Sequence, residues 1–308
     1  MAAAEFALID WIRREAGRTT APAVRVGIGD DAAVLDWPGD RACVVTTDML
    51  MEGVDFTAET ATPELIGRKS LAVNLSDIAA MGGRPVAAFV SICLTQGRGE
   101  EFARRLYGGL FELACEFHVA IAGGDTNSWG GPLVINITVL GEPVAGAPLL
   151  RSGAQPGDWI CVTGRLGGSL AGRHLTFTPR VAEVAAILET VRPTAMIDIS
   201  DGLGADLHHL LEASGVGARV EGPRIPLSPE IGLMPADKSP LDRALSDGED
   251  FELLFTVEPS AGELLLANWS HGTPLTRIGE ITGGLGAVLV MEDGRETVLE
   301  AKGWAHPL

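Results

Sequence analysis

Five short stretches of this 308-residue chain place aspartate beside small residues at the end of an apolar run. They are Gly29-Asp30-Asp31, Thr46-Thr47-Asp48, Asn74-Leu75-Ser76-Asp77, Gly123-Gly124-Asp125 and Asp198-Ile199-Ser200-Asp201, with Asp247-Gly248-Glu249-Asp250 as a looser sixth. Any one of them reads as ordinary turn or capping chemistry. Five in one chain need a further reason. Desolvating a carboxylate without a partner is costly, and several close together repel one another. Only 23 Lys and Arg stand against 41 Asp and Glu, and most lie away from these stretches. A hard divalent cation is the natural neutraliser. Oxygen donors without His or Cys favour Mg2+ or Ca2+. Mg2+ held by a few carboxylates and by substrate phosphates is the usual arrangement for phosphoryl transfer. Such ions also let an acidic protein accept anionic ATP.

Other chemistries match poorly. GRKS at 67–70 lacks the first glycine and the Gly-Lys pair of a P-loop. No G-x-G-x-x-G opens a helix after a strand, and H-R-D, G-x-S-x-G and H-E-x-x-H are absent. VTGRLGGSL (162–170) is either a phosphate cradle at a helix start or a plain strand-to-helix turn. Arg151 could reach a nucleotide phosphate or simply be a surface charge. His208 and His209 read as structural, with no second ligand at metal spacing.

The bulk numbers set outer bounds. Hydrophobic residues make up 46% of the chain, enough for a substantial core, and 39 glycines imply many tight turns. A formal net charge of −18 argues against nucleic-acid and anionic-membrane partners. No segment has the length and apolarity of a membrane span or a signal peptide. Cys43, Cys93, Cys115 and Cys161 are far apart and mostly in apolar surroundings, so free core thiols in a cytoplasmic protein are expected.

The elements that must position the acids alternate between strand and helix. MAAAEFALIDWIRREAG reads as an amphipathic helix, 41–50 as a strand, and 63–83 as a helix from Pro63 to Gly82 and Gly83. On that helix Ser70, Asn74 and Asp77 make a polar stripe opposite Leu71, Leu75 and Ile78. PVAAFVSICL, VAIAGGDT, PLVINITVLGE, WICVTG, AMIDIS, FELLFTV and LTRIGEI read as strands. EEFARRLYGGLFELACEFH, SLAGRHL, PRVAEVAAILETV, ADLHHLLEAS and 260–269 read as helices. The pattern predicts α/β layers. The Gly-, Ala- and Pro-rich stretch 145–158 is the best boundary, dividing the chain into 1–148 and 149–308.

Taken together, GIGDDAAV, TTDMLMEGVDF, KSLAVNLSDIAAMGG, AGGDT, RSGAQPGDWICVTG, TPRV, IDISDGLGADL, LSDGEDFELLFT and KGW resemble the thiamine-monophosphate kinase family, in the same order and at similar spacings. The resemblance runs from the N-terminal helix to Trp304. It implies a two-domain α/β (α+β) fold of the aminoimidazole ribonucleotide synthetase-like type. In that fold the N-terminal domain forms a dimeric β-barrel-like sheet and a C-terminal α/β domain completes the site. It also implies a homodimer, ATP held between the halves, several Mg2+ ions and room for a monovalent cation. By resemblance, Asp31, Thr46, Thr47, Asp48, Asp77, Asp125, Asp198 and Asp201 fall at metal positions. Gly124, Asp125, Arg151 and Ser200 fall at ATP contacts, and Asp55, Glu249 and Trp304 at substrate contacts. Asp48, Asp125 and Asp201 would be the catalytic acids. The chain departs from the family at Asp55, where His is frequent, in the tail KGWAHPL, and in about two extra residues after Asp125.

The resemblance implies transfer of the ATP γ-phosphoryl group to thiamine monophosphate, giving thiamine diphosphate. A phosphate acceptor is already ionised near neutral pH, which suits many Asp residues and no evident catalytic His or Cys. The alternatives are a related ATP-dependent enzyme with another acceptor and a non-catalytic Mg2+- or Ca2+-binding module. The reactive cysteines of the selenophosphate and hydrogenase-maturation relatives have no counterpart near the start of this sequence or at its His306-Pro307-Leu308 end.

Overall fold

The computed structural model describes residue 9, residues 13–14, residues 23–39 and residues 41–305. The expected N-terminal helix falls almost wholly outside these residues, and so does His306. Six strands form a first sheet: β1 (Val24–Val26), β2 (Ala33–Trp37), β3 (Arg41–Met51), β4 (Gly83–Thr95), β5 (Ala120–Trp129) and β6 (Val134–Pro143). Their order is β1-β2-β3-β6-β4-β5. Only β4 and β5 run parallel.

Two helices cover one face of this sheet. Helix α1 (Pro63–Ala80) starts where the Thr62 side chain accepts a hydrogen bond from the Leu65 N–H and Pro63 occupies the first turn. Helix α2 (Gly99–Glu116) is amphipathic and buries Leu106, Leu110 and Leu113 completely. Each such burial is worth about 1.5–3 kcal/mol. The helices cross closely at glycines: a Cβ on Gly67 would lie 1.9 Å from the Leu106 carbonyl oxygen, and one on Gly109 would lie 2.0 Å from that of Glu64. Ile135, Ile137 and Val139 of β6 and Ala88, Val90 and Ile92 of β4 fill the core beneath them. Most of helix α1 is buried, Ser70 and Asn74 included, while Asp77 at the end of the stripe is half-buried. Its polar stripe therefore does not separate a wet side from a dry one.

The opposite face of the sheet is open in the single chain. Met49 of β3, Phe89 of β4 and Trp129 of β5 stand exposed on it. Among the described residues the sheet does not close into a barrel, since β1 and β5 lie at its two edges.

A second sheet contains β7 (Trp159–Thr163), β8 (Ala195–Asp198), β9 (Gly217–Glu221), β10 (Leu253–Val257), β11 (Leu275–Thr282), β12 (Gly286–Val290) and β13 (Glu296–Leu299), in the order β13-β12-β9-β11-β7-β10-β8. Alternation along its central strands feeds two cores. Ile160, Val162, Ile197 and Leu254 pack with α4 (Leu203–Ser214). Cys161, Met196, Leu253 and Phe255 pack with α3 (Val181–Thr190), α6 (Pro259–Asn268) and the C-terminal end of α1. A short α5 (Pro240–Ser246) lies between β9 and β10 in the chain.

The segment expected as a helix, SLAGRHL, forms two 3-10 turns instead. Gly172 interrupts it at φ 134°. Strand pairing is mostly antiparallel within these α/β layers. All four cysteines are free, but Cys115 is exposed and Cys93 half-buried, so only Cys43 and Cys161 are core thiols.

Candidate active site

A cleft of about 650 Å3 opens between the two sheets. The first half of the chain supplies Asp48, Asp55, Lys69 and Asp77 to its wall, and the second half supplies Asp198, Ser200, Asp201, Glu249 and Trp304. Asp48 is aimed inward by the alternation of β3, Asp77 by the last turns of α1, and Asp198 by the end of β8. Ser200 and Asp201 form the turn that leads into α4.

At one end the acids converge. Single carboxylate oxygens of Asp31, Asp77 and Asp198 lie within 4.8 Å of one another. Thr46 Oγ1 donates to Asp77, and Ser76 Oγ donates to Asp198 at 2.5 Å. Burial, then Asp48 and Asp198, hold Asp77 well above the usual carboxylate range. Burial and then Asp55 push Asp48 up to about 6. Burial and then Asp31 push Asp198 up to about 8, against the Ser76 hydrogen bond and the Arg151 charge. Arg151 brings a cation to this end. Arg151 Nη2 sits 2.7 Å from Asp31 Oδ1, and the Arg151 backbone N–H donates to Asp30. The other Asp31 oxygen is buried without a hydrogen-bond partner. An orphaned carboxylate oxygen among raised-pKa acids and hydroxyl groups is a donor set that fits a hard divalent cation.

Thr47 and Asp125 do not join this group. Adjacent strand residues point to opposite faces, so Thr46 and Asp48 face the helices while Thr47 faces the open side. There Thr47 Oγ1 lies 3.1 Å from Thr138 Oγ1. Asp125 is registered with Ser91 on the same open face, exposed on the edge strand, and accepts from the Thr126 N–H. Gly124 lies beside it, registered with Val90.

The other end of the cleft is differently built. Lys69 is fully buried and ion-paired to Glu249. The Asp55 carboxylate accepts from the Met51 N–H at 2.6 Å. Apolar surface comes from Val54, Phe56, Leu170 and Trp304. Glu249 and Phe251 hold left-handed backbone at φ 57° and 50°, a conformation disfavoured for residues with a side chain. The surroundings fix it: the Glu249 N–H donates to the Ser200 carbonyl, the Phe251 N–H to that of Ile199, and the Phe251 ring stacks on Phe177 at 4.2 Å. The tail closes on the same turn, with the Trp304 N–H donating to the Asp201 carbonyl at 2.9 Å.

The glycine-rich stretch 162–170 is no phosphate cradle as it stands. The Gly167 N–H donates to the Asp250 carboxylate at 2.9 and 3.0 Å, and Arg173 pairs with that carboxylate at 2.7 Å. Asp206 caps its own helix by accepting from the Asp201 and Gly202 N–H groups. His209 lies near Asp201 and Asp206. Lys69 is the residue that sequence reasoning missed. Its signal was spacing: Lys69, Val73 and Asp77 recur at four-residue steps on α1 and all line the cleft.

Residues 29–142 match the family model described as AIR synthase related protein, N-terminal domain, and residues 155–292 match that of the C-terminal domain. The two-sheet fold with its acidic cleft is thus that of an AIR synthase related protein. A thiamine-monophosphate kinase of Rhodopirellula baltica is 46% identical to this chain over 282 residues, 88% of each chain. Another, of Salmonella typhimurium, is 37% identical with 99% of each covered. The solved structure of AaThiL complexed with AMPPCP and TMP superposes with a TM-score of 0.84 at 31% identity, covering 98% of this chain and 96% of its own. The chain belongs to the thiamine-monophosphate kinase family.

Proposed function

We infer that the cleft moves the γ-phosphoryl group of ATP to the phosphate of thiamine monophosphate, giving thiamine diphosphate and ADP. The observation that carries this reading is the AaThiL complex, where an ATP analogue and TMP are bound by a relative covering nearly the whole chain. The enzyme is an ATP-dependent phosphotransferase acting on a phosphate group. In the reaction the bond from the γ-phosphorus to the β-bridging oxygen breaks and ADP leaves with that electron pair. A new bond forms to an acceptor phosphate oxygen. That oxygen is already ionised near neutral pH, so no side chain has to remove a proton.

Asp31, Asp48, Asp77, Asp198 and Asp201 are the residues that would hold Mg2+, with Thr46 fixing Asp77 by its hydroxyl. Bound Mg2+ would screen repulsion between the two phosphate groups and the charge growing on the leaving oxygen. Arg151 adds a fixed positive charge on the ATP side, oriented by Asp31. Ser200 is proposed as an ATP contact at the cleft wall. Trp304 offers an aromatic face to the thiamine rings, and Asp55 and Glu249 offer acids to their positive charge. Orientation of both phosphates in a confined cleft supplies the remaining advantage.

We further propose a division into 1–148 and 149–308, and a homodimer formed through the open face of the first sheet. Met49, Phe89 and Trp129 support that face as an interface, because large apolar residues seldom cluster on a free sheet surface. A second copy there would also cover Gly124, Asp125 and Thr47. Light scattering should report a dimer for the native chain and a monomer for Phe89→Glu; a native monomer would refute this assembly. No helix among the described residues is long and apolar enough to cross a membrane. The free, buried Cys43 and Cys161 support a cytoplasmic location.

The direct test incubates the protein with ATP, Mg2+ and thiamine monophosphate, with and without EDTA. Stoichiometric ADP and thiamine diphosphate, abolished by EDTA, are expected. ATP-analogue binding without product would point to another acceptor.

A further inference from the structure

We propose that Lys69 is a positioning residue for acceptor recognition, acting by holding the Glu249 carboxylate at the wall of the cleft. The inference rests on the reading of this cleft as the thiamine-monophosphate site. Lys69 is 1% exposed, yet it lines the cleft between the two halves of the chain. It donates to both Glu249 carboxylate oxygens, at 2.8 and 2.7 Å, and to the Asp55 carbonyl at 2.6 Å. An ammonium has three N–H groups and no acceptor. All three are in use, so Lys69 has none left for a phosphate oxygen. Its partners come from both halves of the chain, and both belong to the acceptor end.

Glu249 needs such a partner. Its backbone is left-handed, and its N–H is fixed to the Ser200 carbonyl. The side chain is 24% exposed and would be free to swing into the cleft or away from it. Lys69 grips both oxygens and leaves the carboxylate edge toward the cleft as the accessible part. The fixed positive charge of a thiazolium ring is recognised by a carboxylate held in one place, because a mobile one loses rotamer entropy on binding. The ion pair lowers the net negative charge of this wall, so orientation rather than charge is what Lys69 supplies.

The test compares native protein, Lys69→Met, Lys69→Gln, Glu249→Gln and the Lys69→Met/Glu249→Gln pair as full-length chains. Steady-state kinetics give KM for each substrate, and calorimetry gives thiamine-monophosphate affinity in the presence of Mg2+ and AMPPCP. A charge-assisted hydrogen-bond pair of this kind sets the expected rise in acceptor KM and Kd at about 10- to 100-fold. The KM for ATP should stay within about threefold. In the Glu249→Gln background, Lys69→Met should add less than about threefold, since the two act as one unit. Equal losses for both substrates, a fall in kcat alone, or full additivity of the pair would overturn the proposal. If Lys69→Met does not fold, Glu249→Gln carries the test: it leaves Lys69 its bond to Asp55, and unchanged acceptor affinity would overturn the proposal. Native protein that makes no thiamine diphosphate would remove the underlying reading; native turnover with unaltered variants would remove only the role of Lys69.

Discussion

The two ends of the cleft solve the problem of buried charge in opposite ways. At the Lys69 end, one buried ammonium meets three oxygen acceptors, two on the Glu249 carboxylate and one on the Asp55 carbonyl, so its donors are satisfied within the chain. At the Asp77 end, Asp31, Asp48, Asp77 and Asp198 crowd together with Arg151 as the cation that pairs with Asp31. Three of those acids are driven toward their neutral forms. Such a deficit is what a site built to receive a cation would show before the cation binds. The contrast separates a wall whose charge is paired within the chain from one whose charge is largely unpaired.

The sharpest way to break that contrast is to make the deficient end neutral. Asp77→Asn keeps an acceptor for Thr46 but removes one repelling charge. We expect kcat to fall by about 100-fold or more, as for loss of a group that stabilises transition-state charge. The EDTA-treated protein should melt a few degrees higher, since about 1 kcal/mol moves a domain of this size by roughly 2–4 °C. Activity near the native level would show that Asp77 holds no essential ion.

A second test uses pH and the cation together. Asp48 and Asp198 go from an ordinary 3.8 to about 6 and about 8 on folding, so the folded chain binds protons more tightly than the unfolded one. Stability from these groups is full below 3.8 and is lost as pH rises through about 6 and about 8. Melting temperature in EDTA should therefore fall between about pH 5 and pH 8.5, and Mg2+ should restore most at the upper end. A Mg2+ shift of the same size at both pH values would count against carboxylate ligation.

At the Lys69 end the expected effects are smaller. Trp304→Ala should raise the acceptor KM about 10-fold through lost stacking and apolar contact, with kcat and the ATP KM within about threefold. An unchanged acceptor KM would remove Trp304 from the site.

The acidic end was the more legible part of the sequence, for a physical reason. Aspartates at the ends of apolar runs violate burial rules, and a violated rule is visible without a structure. The α1 limits were legible too, because Thr62-Pro63 and Gly82-Gly83 punctuate the chain. Thr47 stands on the opposite face of β3 from Asp48, because a motif match does not carry the strand's two-residue period. Lys69 was passed over because lysine on a helix normally faces water; its burial follows from long-range packing of the 247–252 loop on α1. Sheet order and the antiparallel pairing of β7, β10 and β8 arise from contacts between distant segments, which local pattern does not encode.

The tail has a consequence for the order in which the site comes into being. Gly303 presses on the Asp201 carbonyl, where a Cβ would sit 2.6 Å away, and the Trp304 N–H bonds that same carbonyl. The turn carrying Ser200 and Asp201 is thus clasped by residues synthesised about a hundred positions later. During translation both sheets have all their strands once Leu299 has emerged, while the aromatic side of the cleft is still missing. A chain cut short of Gly303 would keep every described strand of both sheets and lose the clasp on the Ser200–Asp201 turn, so the last residues act on the cleft and not on the frame.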